Sequence, residues 1–365
     1  MTDPSRDQVP GGAGPIVQRA FGEENRRRLL ARYFADAGPT TAESAWRHTY
    51  RLLLWIDPTT GLAHCYESDK SQPGRPWYAR TLAFHTWVAQ AIGSTADGLS
   101  DQIDLLFRWA SDDLAAASAA RRTAHAATAE EQRKPYSGQH LPLPGEDPDL
   151  IRMITQTLAE WLSREPPDEV LRDLAERIRA HVTQENKRKN LVGEGFEDTL
   201  AAILQRIDDV NEQYDIRVRP WLHDLPGFYE PRGGEKARQV DLALIRRADG
   251  HRTLVSCKWS VRSDREEQFA TDFEAYARLE AAGQGFAYVL VTNEFDPARL
   301  AAACENRRGR DLIFASVVHV NPDGLLAAYA APIPPRGRGI DRARSHIDVG
   351  RLASMETWLG KLTDG

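Results

Sequence analysis

Two apolar runs joined by Asp249-Gly250 constrain the fold more than any other feature of this sequence. The first, "RQVDLALIRR" over 238–247, is apolar at consecutive positions. A strand of that kind is buried on both faces and belongs inside a sheet covered by helices. Asp-Gly is a hairpin-turn signal, so "TLVSCKWSV" over 253–261 reads as the return strand. The flanking sequence supplies the covering layers. "GEGFEDTLAAILQRI" (193–207) carries an apolar stripe of Phe196, Leu200, Ile203, Leu204 and Ile207. "DREEQFATDFEAYARLEAAG" (264–283) reads as a helix closed by Gly283. "FAYVLVTNEF" is a strand, "DPARLAAACENRRG" a helix with an Asp-Pro start, and "DLIFASVVHV" a further strand. The order helix, strand, hairpin strand, helix, strand, helix, strand predicts an α/β domain with a mixed central sheet flanked by helices.

The first half differs in character. "AESAWRHTYRLLLWID", "SDQIDLLFRWASDDLAAASAARRTAHAATAEEQ", "DPDLIRMITQTLAEWLSRE" and "PDEVLRDLAERIRAHVTQENK" have apolar residues at helical spacing or are rich in alanine. Loops rich in Gly, Pro and aromatics separate them. The change of character near residue 186 predicts a mainly helical domain over 1–186, for DNA binding or dimerisation, and an α/β domain over 187–365. Residues 1–15 read as a frayed tail. With 41% apolar and 27% charged residues, the chain can bury a sizeable core and is not of disordered composition. No apolar run approaches a membrane span. Cys65, Cys257 and Cys304 are scattered with no CxxC pair, which argues against a disulfide framework or a zinc site and fits a reducing cytoplasm. The net charge of −6 does not exclude nucleic acid, because a metal-dependent nuclease needs clustered acids and only a local basic surface.

The hairpin also carries chemistry. Side chains alternate along a strand, so Leu254, Ser256 and Lys258 share one face and Val255, Cys257 and Trp259 the other. The turn places Asp241 opposite Ser256–Lys258, within one residue. Taken alone, an acid facing a lysine there is a salt bridge at a sheet end. Glu197, just off the apolar stripe of its helix, and Asp272, on the following helix, give the pair company. Carboxylates converging with one lysine suit a hard divalent cation, Mg²⁺. The lysine would then act on water and on developing negative charge at phosphate.

These residues resemble the PD-(D/E)xK nuclease core. Asp241, fourteen intervening residues and "SCK" look like the variant with Ser in place of the middle acid, found in the CCGG-recognising (BsaWI/NgoMIV-like) type II restriction endonucleases. In that family the lysine is followed by R-x-(D/E)-R, matched here by Arg262, Asp264 and Arg265. The displaced metal-binding acid, usually Glu, falls on Asp272, with Glu274 and Glu267 as fallbacks. Val240 stands where the family has proline. "GEGFED" resembles the first core helix and supplies Glu197, with Glu194 in reserve. The resemblance covers about residues 186–325. It implies Asp241, Asp272 and Glu197 as metal-binding residues, Ser256 in the vacated acidic position, and Lys258 as the catalytic lysine. It further implies a homodimer on double-stranded DNA, cutting at a palindrome with a CCGG core, and a cognate DNA methyltransferase for the same site. A defence nuclease of the same core with another DNA target is the nearest alternative, and a non-cleaving DNA-binding protein is the alternative from another class.

Arg262, Asp264 and Arg265 have their own logic. Arginine can donate twice to guanine and a carboxylate can accept from cytosine. Ser263 as a helix cap, followed by acids, explains the acids alone; it leaves two arginines at the positive end of a helix. Trp259 reads as core packing. His64, His85, His140 and His319 are isolated and read as structural. Lys70, Arg75 and Arg80, interleaved with Trp77 and Tyr78, form either a phosphate-touching loop or a packed one.

Overall fold

The computed structural model describes residues 23–56, 78–95, 123–124, 127–128, 130–132, 134–136, 148–159, 166–233, 236–261, 265–330 and 339–363. The chain forms two compact units. One comprises residues 1–25 and 109–190, the other 26–108 and 191–365.

The second unit is an α/β structure built on a mixed six-stranded sheet. Its strands are β1 (Tyr214–Val218), β2 (Leu242–Arg246), β3 (Arg252–Lys258) and β4 (Ala287–Thr292). A small separate hairpin of β5 (Arg307–Arg308) and β6 (Asp311–Leu312) follows, then β7 (Ser316–His319) and β8 (Leu352–Ser354). The order across the sheet is β1-β2-β3-β4-β7-β8. The first three strands are antiparallel and the remainder run parallel to β3. The expected hairpin is present, with Leu242 level with Val255.

Within this unit helices cover both faces of the sheet. In chain order the helices of the chain as a whole begin with α1 (Glu23–Asp36), α2 (Ala45–Ile56), α3 (Tyr78–Ala91), α4 (Pro148–Leu158) and α5 (Asp168–Leu204). They continue with α6 (Asp208–Gln213), α7 (Arg265–Leu279), α8 (Pro297–Glu305), α9 (Pro322–Ala330), α10 (Gly339–Asp348) and α11 (Met355–Thr363). On the face shared by Leu254 and its neighbour Tyr288, Phe273 and Tyr276 of α7 pack against Tyr288. On the other face, Trp259 receives Phe196 of α5 and Tyr50 of α2, both edge-on. Aromatic pairs of this kind add to the area that they bury. Among the described residues no helix is long and apolar enough to cross a membrane.

The chain does not divide at residue 186 alone. Helices α2 and α3 belong with the sheet: the Phe84 ring lies 4.3 Å from the Phe295 ring, and Tyr50 donates to Asn293 at 2.9 Å. The helices expected over 167–187 and 193–207 are one helix, α5. Gly193 and Gly195 weaken helix propensity by about 1 kcal/mol each, but the expected stripe is buried and outweighs them. "DLIFASVVHV" is not a single strand. Asp311-Leu312 turns back onto Arg307-Arg308, and pairing with β4 begins only near Ser316. The Asp296 cap of α8 is present, its side chain accepting from Ala298 N–H. Of the long alanine-rich segment over 100–132, most lies outside the described residues.

The turn end of β3 is held by Arg252, 2% exposed. Its guanidinium donates to the Pro226 carbonyl at 2.9 Å, to Glu280 Oε1 at 2.8 Å and to the Gly285 carbonyl at 2.7 Å. Gly227, at φ +81°, is required beside it: a Cβ there would collide with the guanidinium.

Candidate active site

Asp241 stands one residue before β2, where the hairpin register brings it level with Ser256. Three donors converge on one carboxylate oxygen. Asp241 Oδ2 accepts from Lys258 Nζ at 2.6 Å, from Cys257 N–H at 2.8 Å and from Ser256 Oγ at 3.3 Å. Oδ1 accepts no hydrogen bond among the described residues. The site follows from strand geometry: Ser256 and Lys258 point to one side of β3, and the backbone N–H between them points along the sheet toward the end of β2.

Lys258 is only partly exposed. Burial alone would lower its pKa, but the Asp241 carboxylate overrides burial and raises it. The amine is therefore held as a cation beside the acid. A cavity of about 220 Å³ opens in front of the pair. Asp241, Ser256 and Lys258 line it together with Arg238, Asp272 and Tyr276.

Asp272 approaches from α7, where Arg238 Nη1 donates to its Oδ1 at 3.0 Å. Burial raises the Asp272 pKa, outweighing the opposing pull of Arg238 and Lys258. Glu197 approaches from α5, beside Phe196. It does not line the cavity, but it lies near enough to Asp241 for that charge to act on it. Burial, then the charge of Asp241, push Glu197 up to about 7, against the hydrogen bond from Arg219. A carboxyl whose pKa is raised in the folded state contributes stability that is full below the unfolded value and is lost as pH rises through the folded one. Wild-type stability should therefore fall between about pH 5 and pH 8 relative to Glu197→Gln, which keeps an acceptor for Arg219. Parallel urea titrations of the two proteins at both pH values check this; identical pH dependence would refute it.

Sequence reasoning missed Arg219 and Arg238. Arg219 is the one non-glycine residue at positive φ (49°) among those described, a conformation that costs free energy and is held by its surroundings. Its guanidinium bridges Glu197 at 2.9 Å and Asp198 at 2.7 Å, and its N–H donates to the Asp241 carbonyl at 3.0 Å. It thus ties Glu197 to the strand end that carries Asp241. Glu294 is a third residue missed. It is 2% exposed and accepts from Val261, Phe295 and Asp296 N–H groups. That carboxylate fixes the chain just after Lys258 to the end of β4.

No protein-family model and no curated protein matches this chain.

The remaining expected site residues divide as follows. Arg262 and Asp264 lie outside the described residues. Arg265 begins α7, but its side chain is likewise outside. Glu194 is exposed and paired with Arg26 at 2.7 Å, Glu274 is paired with Arg308, and Glu267 is exposed; none lines the cavity. His319 is structural as expected: it is fully buried, with Nε2 2.9 Å from the Glu294 carbonyl and Nδ1 accepting from Asn321 N–H. Arg80 stacks over the Tyr329 ring at 4.3 Å and is buried, so it packs rather than touching phosphate. Lys70, Arg75, Trp77, His64 and His140 fall outside the described residues.

Among the described residues no three His, Cys, Asp or Glu side chains form a ready metal-binding group. The donor chemistry nonetheless fits a hard cation. Mg²⁺ is commonly held by one or two carboxylates, with water and substrate phosphate completing its shell. Asp241 and Asp272 line one cavity and supply that number.

Proposed function

We propose that this chain is a Mg²⁺-dependent type II restriction endonuclease with a PD-(D/E)xK core, making double-strand cuts at a palindrome with a CCGG core. The observation that carries the reading is the convergence of Lys258, Cys257 N–H and Ser256 on one oxygen of Asp241 at the mouth of a polar cavity. The antiparallel hairpin leading into a parallel β3–β4 pair around α7 supports the same core.

In this reading Asp241 and Asp272 would hold Mg²⁺, with Glu197 beside them. The ion would supply Lewis-acid stabilisation of charge at the scissile phosphate and a more acidic bound water. Lys258, kept cationic by Asp241, lies where it can bind a phosphate oxygen and stabilise the negative charge that develops there. Ser256 helps to keep the Asp241 carboxylate in place and adds no charge of its own. A homodimer would match the two-fold symmetry of a palindrome, each active site cutting one strand. A cognate methyltransferase would protect the same sequence in the host.

The test is digestion of a large sequenced DNA in Mg²⁺, with the fragment ends read. Ends that share a CCGG core are expected. Cuts without that core would defeat the target, and Ca²⁺-dependent binding with no cutting in Mg²⁺ would leave a DNA-binding protein. In the same assay Arg262→Ala or Arg265→Ala should weaken discrimination of the core by about 1–3 kcal/mol, roughly tenfold to a hundredfold. Non-specific binding should change far less. Equal weakening on all sequences, with a changed salt slope, would make these residues phosphate contacts instead.

A further inference from the structure

The two arginines at the site are held very differently. Arg219 is forked between two acids and locked at the backbone, and its side chain is 20% exposed. Among the described residues Arg238 has a single ion-pair partner, Asp272, and its side chain is 36% exposed on the cavity wall. Its backbone is fixed independently: its carbonyl accepts from Leu222 N–H at 2.8 Å, and Gln239 beside it pairs with Trp221. The Arg238 side chain can therefore change partner without moving the strand entry.

The charges around the cavity form two closed pairs, Lys258 with Asp241 and Arg238 with Asp272. If the proposed function holds, the acids are needed by a divalent cation and the cations by a phosphodiester. Each pair thus engages charge that the ligands require, with Asp241 Oδ1 left open among the described residues. Arginine binds phosphate and carboxylate through the same charge-assisted geometry, so exchanging one for the other costs little. We propose that Arg238 is a phosphodiester-binding residue, and that its transfer from Asp272 to the incoming phosphate is what opens Asp272 to the cation. DNA and metal would then each favour binding of the other, by the same factor in either order.

Ca²⁺ is the probe, because it fills such sites through oxygen ligands. Calorimetric titration of Ca²⁺ into the full-length protein without DNA should show weak binding to wild type and binding several-fold tighter in Arg238→Gln. Loss of a cation beside Asp272 would tighten the site by charge alone, so the coupling to DNA is the readout that a merely structural or electrostatic role would not move. DNA affinity should rise on the order of tenfold with Ca²⁺ in wild type, little in Arg238→Gln, and by an intermediate factor in Arg238→Lys. If Arg238→Gln leaves both the DNA-free Ca²⁺ affinity and the Ca²⁺–DNA coupling unchanged while wild type cuts DNA in Mg²⁺, this proposal fails and the nuclease reading stands. If wild type neither cuts in Mg²⁺ nor couples Ca²⁺ to DNA, the nuclease reading fails and this inference falls with it.

Discussion

Lys258→Ala and Asp241→Asn should each lower DNA cleavage by about a thousandfold or more, the scale for loss of a group that stabilises transition-state charge or handles its proton. The two substitutions fail for different reasons. Lys258→Ala removes the cation while Asp241 keeps its bond from Cys257 N–H, so the strand end should survive. Asp241→Asn keeps the shape but removes the charge that raises the Lys258 pKa and would hold the metal. In both variants, binding to DNA in the absence of metal should stay within a few-fold of wild type. Fragment yield over time measures the first effect and a filter-binding titration the second. Near-normal cleavage by either variant would remove the proposed site.

Arg252→Ala should be the most destabilising single change at the hairpin, by about 3–5 kcal/mol, the cost of breaking a buried ion pair by deleting one partner. The side chain satisfies two backbone carbonyls and Glu280 at once and lies over the Phe228 ring at 5.2 Å. Alanine would leave these acceptors without their donor beside a void. Arg252→Lys should recover only part of the loss, because one ammonium cannot span three acceptors set around a planar fork. Chemical denaturation of the three proteins checks this; a loss below about 1 kcal/mol for Arg252→Ala would show that the cluster adds little.

Much of this was legible in the sequence where the signal was local. The doubly apolar runs and Asp249-Gly250 predicted the hairpin within one residue of its register, and with it the meeting of Asp241, Ser256 and Lys258. The Phe196 stripe and the Asp296 cap were equally local. β1 was missed, although Tyr214, Ile216 and Val218 alternate with Asp215 and Arg217, because five residues beside a helix end are a weak period-2 signal. Arg219, Arg238 and Arg252 were missed for another reason. A charged residue shows in sequence only as charge; whether it is solvated or buried depends on acids 20 to 35 positions away that the fold brings alongside. The placement of α2 and α3 was hidden likewise, since an amphipathic helix shows that it has an apolar face and not what covers it.

That placement has a consequence for how the protein is made. Tyr50 bonds to Asn293, 243 residues later, and Thr49 bonds to Met355, 306 residues later. At about 5–20 residues per second, about 15–60 s of synthesis separate Thr49 from Met355. Until β1–β4 have been made, the aromatic faces of α2 and α3 have no sheet to settle on. Trp259, the residue after Lys258, emerges with its α2 partner Tyr50 already made. The nascent chain therefore carries the aromatic surface of α2 and α3 from early in translation, and that layer can close only after the strands it covers have been made.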